Sequence, residues 1–351
     1  MSNYEGLIKK YRYYLPVKDK YIATLNEGNT PLIECKRLRE HLNIPARLFL
    51  KFEGLNPTCS FKDRGMTYAV SKAWEHGAKA IICASTGNTS ASAAAYAARA
   101  GIQAVVIIPK GKIAYGKLSQ AVQHGAKVIQ IQGNFDKALQ LVIDISKNYP
   151  VALVNSVNPD RILGQMTAAF EVIEQLGDAP DFHFLPVGNA GNITAYWKGY
   201  KTYYQEGSSK KLPQMMGFQA SGAAPIVLGK PVAKPETVAT AIRIGNPASW
   251  DAAIDARDES QGVIDKVTDT QILKAYDLLA RYEGIFCEPA SAASVAGVIK
   301  MAKKRGFKKN QKIVCTLTGH GLKDPDIAIK NSKKPITCPA NVKAIVKQMK
   351  W

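Results

Sequence analysis

A long alternation of short apolar runs with helical stretches constrains this chain more than any other feature. ARLFLKFE (46–53), KAIICAS (79–85), AVVIIP (104–109), KVIQIQ (127–132), PVALVNS (150–156), DFHFLPV (181–187), MMGFQA (215–220) and KIVCTLT (312–318) read as strands. Between and after them lie helical patterns over MTYAVSKAWEHGA (66–78), 89–100, near 116–124, 161–176, ITAYWKGYKTYYQE (193–206), 269–283 and 290–304. Apolar strands separated by helices of ten or more residues predict an α/β fold with two open, mostly parallel twisted sheets flanked by helices. Ligands in such folds bind at the carboxyl ends of strands, so chemistry is expected in strand-to-helix loops. The proline-bearing stretch PIVLGKPVAKPETVATAIRIGNP (225–247) reads as a wandering connection between layers.

At 351 residues the chain has room for two domains. A hydrophobic share of 46% and a charged share of 21% are those of a soluble globular protein. The first residues carry scattered charges and no apolar core, which predicts no signal peptide. The run ASAAAYAARAGIQAVVIIP (91–109) reads as a helix stopped near Gly101 and then a buried strand, not as a membrane span. The six cysteines are far apart, without CxxC or Cys/His metal spacing, which predicts a reducing, cytoplasmic setting and no metal. A formal net charge of +19 invites a nucleic-acid reading. The densest basic run, KMAKKRGFKKNQK (300–312), has the single aromatic Phe307 rather than an interleaved series and reads as a charged helix end and loop; no nucleic-acid partner is expected.

Four loops carry candidate chemistry. In NPTCSFKDRG (56–65), Lys62 stands at the mouth of a helix, where the positive helix end favours a free amine, although most of the 47 lysines and arginines must be ordinary solvated side chains. ASTGNTSAS (84–92) offers hydroxyls and free amides around Gly87, fit either for a carboxylate or for capping by Thr89 or Ser90. GNAGN (188–192) is either a backbone cradle for a phosphate or a tight turn. TLTGHGLKDP (316–325) places Thr318 at a strand end, commonly a turn position. Lysine, hydroxyl loop and glycine cradle together are what a pyridoxal phosphate site needs.

NPTCSFKDRGM, CASTGNTSASAAAYAARAG, VNSVNPDR, LPVGNAGNITAYWKGY, ATAIRIGNPASW, FCEPASAASVAG and LTGHGLKDP, spread over about residues 24–325, together resemble the shorter, bacterial and archaeal threonine synthases. These are fold-type II pyridoxal 5'-phosphate enzymes related to tryptophan synthase β-chains. The resemblance implies that Lys62 is the Schiff-base lysine and proton shuttle and that Asn88 hydrogen-bonds the cofactor 3′-oxygen. It implies that Gly188, Asn189, Ala190, Gly191 and Asn192 hold the cofactor phosphate, and that Thr318 faces the pyridine nitrogen. Ser85, Thr86 and Thr89 are expected to line the substrate side, and Asn155, Ser156 and Arg161 to bind the phosphate of O-phospho-L-homoserine. The implied reaction gives L-threonine and phosphate; a serine/threonine dehydratase or another fold-type II lyase is the alternative.

The resemblance further implies a small α/β domain, 56–155, inserted into a large one made of 1–55 and 156–351, with the site in a cleft that closes over substrate. It implies a homodimer without a membrane partner, and neither the S-adenosylmethionine-binding extension of plant-type enzymes nor a regulatory domain after 325. In one place the sequence departs from the family, which has NPTGSFKDRG where this chain has Cys59. If that position needs a positive φ, cysteine strains it. The thiol is then either oxidisable beside the cofactor or a buried bystander.

Overall fold

The computed structural model describes residues 4–110, 115–133, 135–332 and 334–349. Ten strands form two sheets: β1 (Leu32–Glu34), β2 (Arg47–Phe52), β3 (Ala80–Ala84), β4 (Gln103–Pro109), β5 (Lys127–Ile131), β6 (Val151–Leu153), β7 (Phe182–Pro186), β8 (Gln214–Ala220), β9 (Val263–Val267) and β10 (Lys312–Leu317). The larger sheet has the order β1-β2-β10-β7-β8-β9 and the smaller one β5-β4-β3-β6. Only the β1–β2 pair is antiparallel. All four strands of the smaller sheet fall between residues 80 and 153.

Burial follows the sequence logic. The residues of β7 are all buried, as are all but the first of β3 and β10, so these strands carry helices on both faces. β10 lies between β2 and β7, with Cys315 opposite both Leu50 and Phe184. Its carboxyl end therefore emerges at the middle of the large sheet, where Thr318 stands.

Element positions match the sequence closely in the strands and in the helices Asn88–Ala100, Pro159–Leu176, Gly191–Gln205, Asp269–Glu283 and Pro289–Lys304. The Asn88–Ala100 helix stops at Gly101, which takes the left-handed conformation with φ 69°. The expected helix at 66–78 begins four residues earlier and runs Lys62–Glu75, so Lys62 is its first residue rather than a residue ahead of it. The stretch 225–247 holds only the short helix Pro225–Leu228 and a 3-10 turn at Thr240–Ile242. The periodicity did not reveal β1, β9 or the helices Phe135–Asn148, Trp250–Glu259 and Val342–Met349.

All six cysteines are free thiols. No described helix is long and apolar enough to cross a membrane, and no cluster of potential metal ligands occurs among the described residues.

Candidate active site

The helices Lys62–Glu75 and Pro159–Leu176 cross at glycines. A Cβ added at Gly164 would lie 2.1 Å from the Arg64 carbonyl oxygen, and one at Gly65 would lie 2.7 Å from that of Arg161. This contact sets the first turns of the two helices side by side, and with them Lys62 and Arg161. The helix Gly191–Gln205 packs as closely on the second helix, because a Cβ at Gly199 would lie 2.4 Å from the Met166 carbonyl oxygen. Lys62, Arg161 and the 188–192 loop therefore converge on one region.

Lys62 is partly exposed as a residue, but its ammonium lies in a recess, 4.0 Å above the Phe61 ring. Burial, aided by repulsion from Arg161 and opposed by Glu288, lowers its pKa to about 7. The sequence reading credited the helix end; desolvation leads instead. Arg161 is 1% exposed. Its guanidinium donates to the Val154 carbonyl at 3.2 Å, its Nε has no partner, and burial lowers its pKa to about 10. No carboxylate pairs with it among the described residues.

Asp63, the next residue after Lys62, is pinned by the Thr58 amide and the Ser92 hydroxyl, each donating at 2.6 Å. Burial nonetheless raises its pKa to about 6. Arg64 is wholly buried and sits in a network that the sequence did not disclose. Its Nε and Nη2 meet Glu53 at 2.6 and 2.9 Å, its Nη1 and Nη2 meet Glu171 at 2.9 and 2.6 Å, and Lys51 reaches Glu171 at 2.7 Å. Two cations balance two anions; burial alone raises the pKa of Glu171, but Arg64 and Lys51 hold it well below the carboxylate range. Removing one partner of such a network costs about 3–5 kcal/mol. The network fixes the helix start two residues from Lys62.

On the facing side, Thr318 hydrogen-bonds Ser291 at 2.9 Å and donates to Glu288 at 3.1 Å. The Asn88 amide donates to the other Glu288 oxygen, also at 3.1 Å. The Phe61 amide donates to the Thr318 carbonyl at 2.9 Å, tying the lysine loop to the end of β10. The fold thus gathers Asn88 and Thr318 on Glu288, a residue that the sequence reading did not single out and whose charge acts on Lys62.

The remaining candidates divide. Ser85, Thr86, Thr89 and Ser156 are partly exposed beside the buried residues. Ser85 accepts from the Gly87 amide at 3.1 Å, and no side chain caps the Asn88–Ala100 helix, so neither Thr89 nor Ser90 does so. Gly87 has φ −137°, so its left-handed freedom is not what this loop uses. Asn155 spends both amide atoms on Ala84, accepting from its N–H and donating to its carbonyl at 3.0 Å each. In that state Asn155 clamps β3 rather than presenting its amide to a ligand.

In the 188–192 loop, Asn189 accepts from the amides of Ala248 and Ser249 at 3.2 and 3.1 Å. Gly188 packs closely, since a Cβ there would lie 3.0 Å from the Ile242 Cα and would crowd that backbone. The left-handed residue is Ala190, at φ 67°, rather than either glycine. A left-handed residue just ahead of a helix turns successive amides inward, and the open first turn of the Gly191–Gln205 helix continues the cradle. Cys59 has φ 64°, so the position does require a positive φ and cysteine is strained there. Its thiol is half-buried, and burial raises its pKa.

Seven buried side-chain atoms among the described residues lack a hydrogen-bond partner, and four belong to this region: Ser60 Oγ, Asn88 Oδ1, Arg161 Nε and Asn192 Nδ2. Unpaired buried polar groups are rare and costly. Here they mix donors and an acceptor around a deprotonatable amine and an amide cradle, which fits a phosphorylated aldehyde cofactor bound beside an anionic substrate.

A family model described as pyridoxal-phosphate dependent enzyme matches residues 23–319, and the chain belongs to this family. It is 60% identical over 330 residues to the threonine synthase of Synechocystis sp., covering 94% of this chain and 86% of that protein. It is 57% identical over 346 residues to the threonine synthase of Mycobacterium tuberculosis, covering 98% of this chain and 96% of that one. Within the family the chain thus falls among the threonine synthases. Among solved structures, maize serine racemase superposes with a TM-score of 0.76 over 93% of this chain and 97% of its own at 20% identity, a likeness of fold.

Proposed function

We propose that this protein converts O-phospho-L-homoserine and water into L-threonine and phosphate, with pyridoxal phosphate as its cofactor. The observation that carries the reading is Arg161: a buried guanidinium without a carboxylate partner, close enough to Lys62 to depress its pKa. A buried, uncompensated cation is costly unless the working state brings an anion to it. A substrate phosphate satisfies it, whereas serine or threonine, the substrates of a dehydratase, have none to offer.

The 188–192 loop would hold the cofactor phosphate, Asn88 and Thr318 would flank its ring, and Lys62 would supply the amine that links it to the chain. When bound, pyridoxal phosphate supplies an electron sink for breaking carbon–hydrogen bonds next to the substrate amine. The protein's own residues do the rest. Lys62, half deprotonated near neutrality, takes a proton from the substrate carbon and returns one later at its Nζ. Arg161 orients the leaving phosphate and stabilises its charge as the carbon–oxygen bond breaks. Ser85, Thr86 and Thr89, with the open helix end behind them, receive the substrate carboxylate, and Ser156 borders the phosphate. Asn155 shapes that region by holding the end of β3.

Segment 56–155 acts as a small domain closing on a large one formed by 1–55 and 156–351, excluding water until it is needed. We place the protein in the cytoplasm as a homodimer. Incubation with O-phospho-L-homoserine should release phosphate and threonine in equal amounts. Phosphate accompanied by 2-oxobutanoate, or deamination of threonine and serine in preference, would assign the chain to the dehydratase class instead.

A further inference from the structure

Glu288 differs from Glu53 and Glu171, the ion-paired buried carboxylates near the site. Glu53 and Glu171 are neutralised by Arg64 and Lys51; Asp63 is held by Thr58 and Ser92. Glu288 is 1% exposed, belongs to none of the ion pairs among the described residues, and touches only neutral donors. It occupies the N-cap position of the Pro289–Lys304 helix yet makes no side-chain capping bond. Its side chain turns away from the helix that it precedes and spans Asn88 on one sheet's helix and Thr318 at the end of the other sheet.

The backbone is built around this placement. The Glu288 amide donates to the Gly319 carbonyl at 2.9 Å, and a Cβ at Gly319 would lie 2.6 Å from the Glu288 carboxyl carbon. Any side chain at 319 would expel the carboxylate from its seat. The charged groups that act on Lys62 are Arg161, from the neighbouring helix, and Glu288, from the opposite wall. Glu288 alone among them is an anion.

We propose that Glu288 is the positioning residue of this site: its carboxylate orients the Asn88 amide and the Thr318 hydroxyl toward the cofactor and supplies the negative charge that faces Lys62. One carboxylate thereby couples the two residues that flank the ring to the protonation of the amine that attacks it. The inference rests on the reading that Lys62 carries the cofactor, and is independent of which substrate is used.

The test compares the full-length protein with Glu288→Gln and Glu288→Asp, each stripped of cofactor. Acylation of Lys62 across a pH series, quantified by peptide mass spectrometry, reads the fraction of free amine without substrate or turnover. Loss of the charge in Glu288→Gln should shift the labelling midpoint down by about one pH unit, and Glu288→Asp, which keeps the charge on a shorter arm, should restore it. Pyridoxal phosphate affinity, measured by titration on the same proteins, should fall about tenfold in both variants as Asn88 and Thr318 lose their anchor. An unchanged midpoint in Glu288→Gln would overturn the proposal. So would equal shifts in both variants, which a purely structural role produces. If Glu288→Gln does not fold, a folded Glu288→Asp with undiminished cofactor affinity overturns it as well. Failure of the protein to act on O-phospho-L-homoserine would reject the substrate assignment and leave these readouts to decide on Glu288.

Discussion

Replacing Gly164 by alanine tests whether the crossing of two helices sets the active site. The added methyl would lie 2.1 Å from the Arg64 carbonyl oxygen, 2.9 Å from its carbonyl carbon and 3.0 Å from the Gly65 Cα. These are backbone atoms, so no side chain can swing aside. Bringing the closest contact out to about 3 Å requires the helices to part by roughly 1 Å. Overpacking of this kind costs about 1–3 kcal/mol, and backbone on both sides places this case at the upper end, near 3 kcal/mol. The same displacement separates Lys62 from Arg161 and strains the Arg64 bonds to Glu53 and Glu171. A misplacement of about 1 Å at a reacting group lowers turnover on the order of a hundredfold. Urea unfolding and steady-state turnover should show both losses together. Gly191→Ala is the control: its methyl meets only Ile162 Cδ1 at 3.5 Å and Ser249 Oγ at 3.7 Å, at a negative φ. Its stability should stay within about 0.5 kcal/mol of the parent. A Gly164→Ala protein with parental stability and turnover would refute the claim that this crossing sets the spacing.

Arg161→Gln removes the cation that repels the Lys62 ammonium, so the acidic limb of the pH–activity profile should move up by about one unit. KM for the phosphorylated substrate should rise at least about tenfold, and normal KM with an unmoved limb would count against Arg161. Cys59→Gly relieves a left-handed residue at φ 64° and should hold or raise stability by up to about 1 kcal/mol; a clear loss in the melting temperature would show that the thiol packs usefully. His183 is buried between Tyr200 and Thr316, and burial lowers its pKa to about 3. Below about pH 6.5 the unfolded chain takes up a proton that the folded chain refuses. Its contribution is therefore present above that pH and is lost towards pH 3 by about 1.4 kcal/mol per unit. Unfolding of His183→Gln across this range should show a slope shallower by about one proton, and identical slopes would contradict the assignment.

Much of the scaffold was legible because parallel strands buried on both faces need uninterrupted apolar runs, and IICA, VVIIP and IVCTL supply them. Helix ends were readable where one residue type decides them, as at Gly101. Short edge strands such as β1, with its partly exposed residues, leave too little pattern to stand out. The candidate site residues Lys62 and Thr318 stood out in the sequence as oddities at strand or helix ends. Glu288 was not, because EPAS reads as an ordinary helix start, and only the fold shows its side chain facing the other way. The partnership of Arg64 with Glu53 and Glu171 was hidden for another reason: 107 residues separate Arg64 from Glu171, and periodicity reports a buried face without naming what meets it. Asn155 shows the converse, a polar residue that looked available for a ligand but holds the backbone of Ala84.

The central claim is that Lys62, lowered to neutrality by burial and Arg161, is the amine that holds the cofactor. The direct measurement is reduction of the cofactor-loaded protein with borohydride, followed by digestion and mass mapping of the modified lysine. The account predicts one phosphopyridoxyl group per chain, on the peptide containing Lys62, with none on Lys62→Ala. A modification on any other lysine, or tight cofactor binding with no reducible linkage at Lys62, would contradict it.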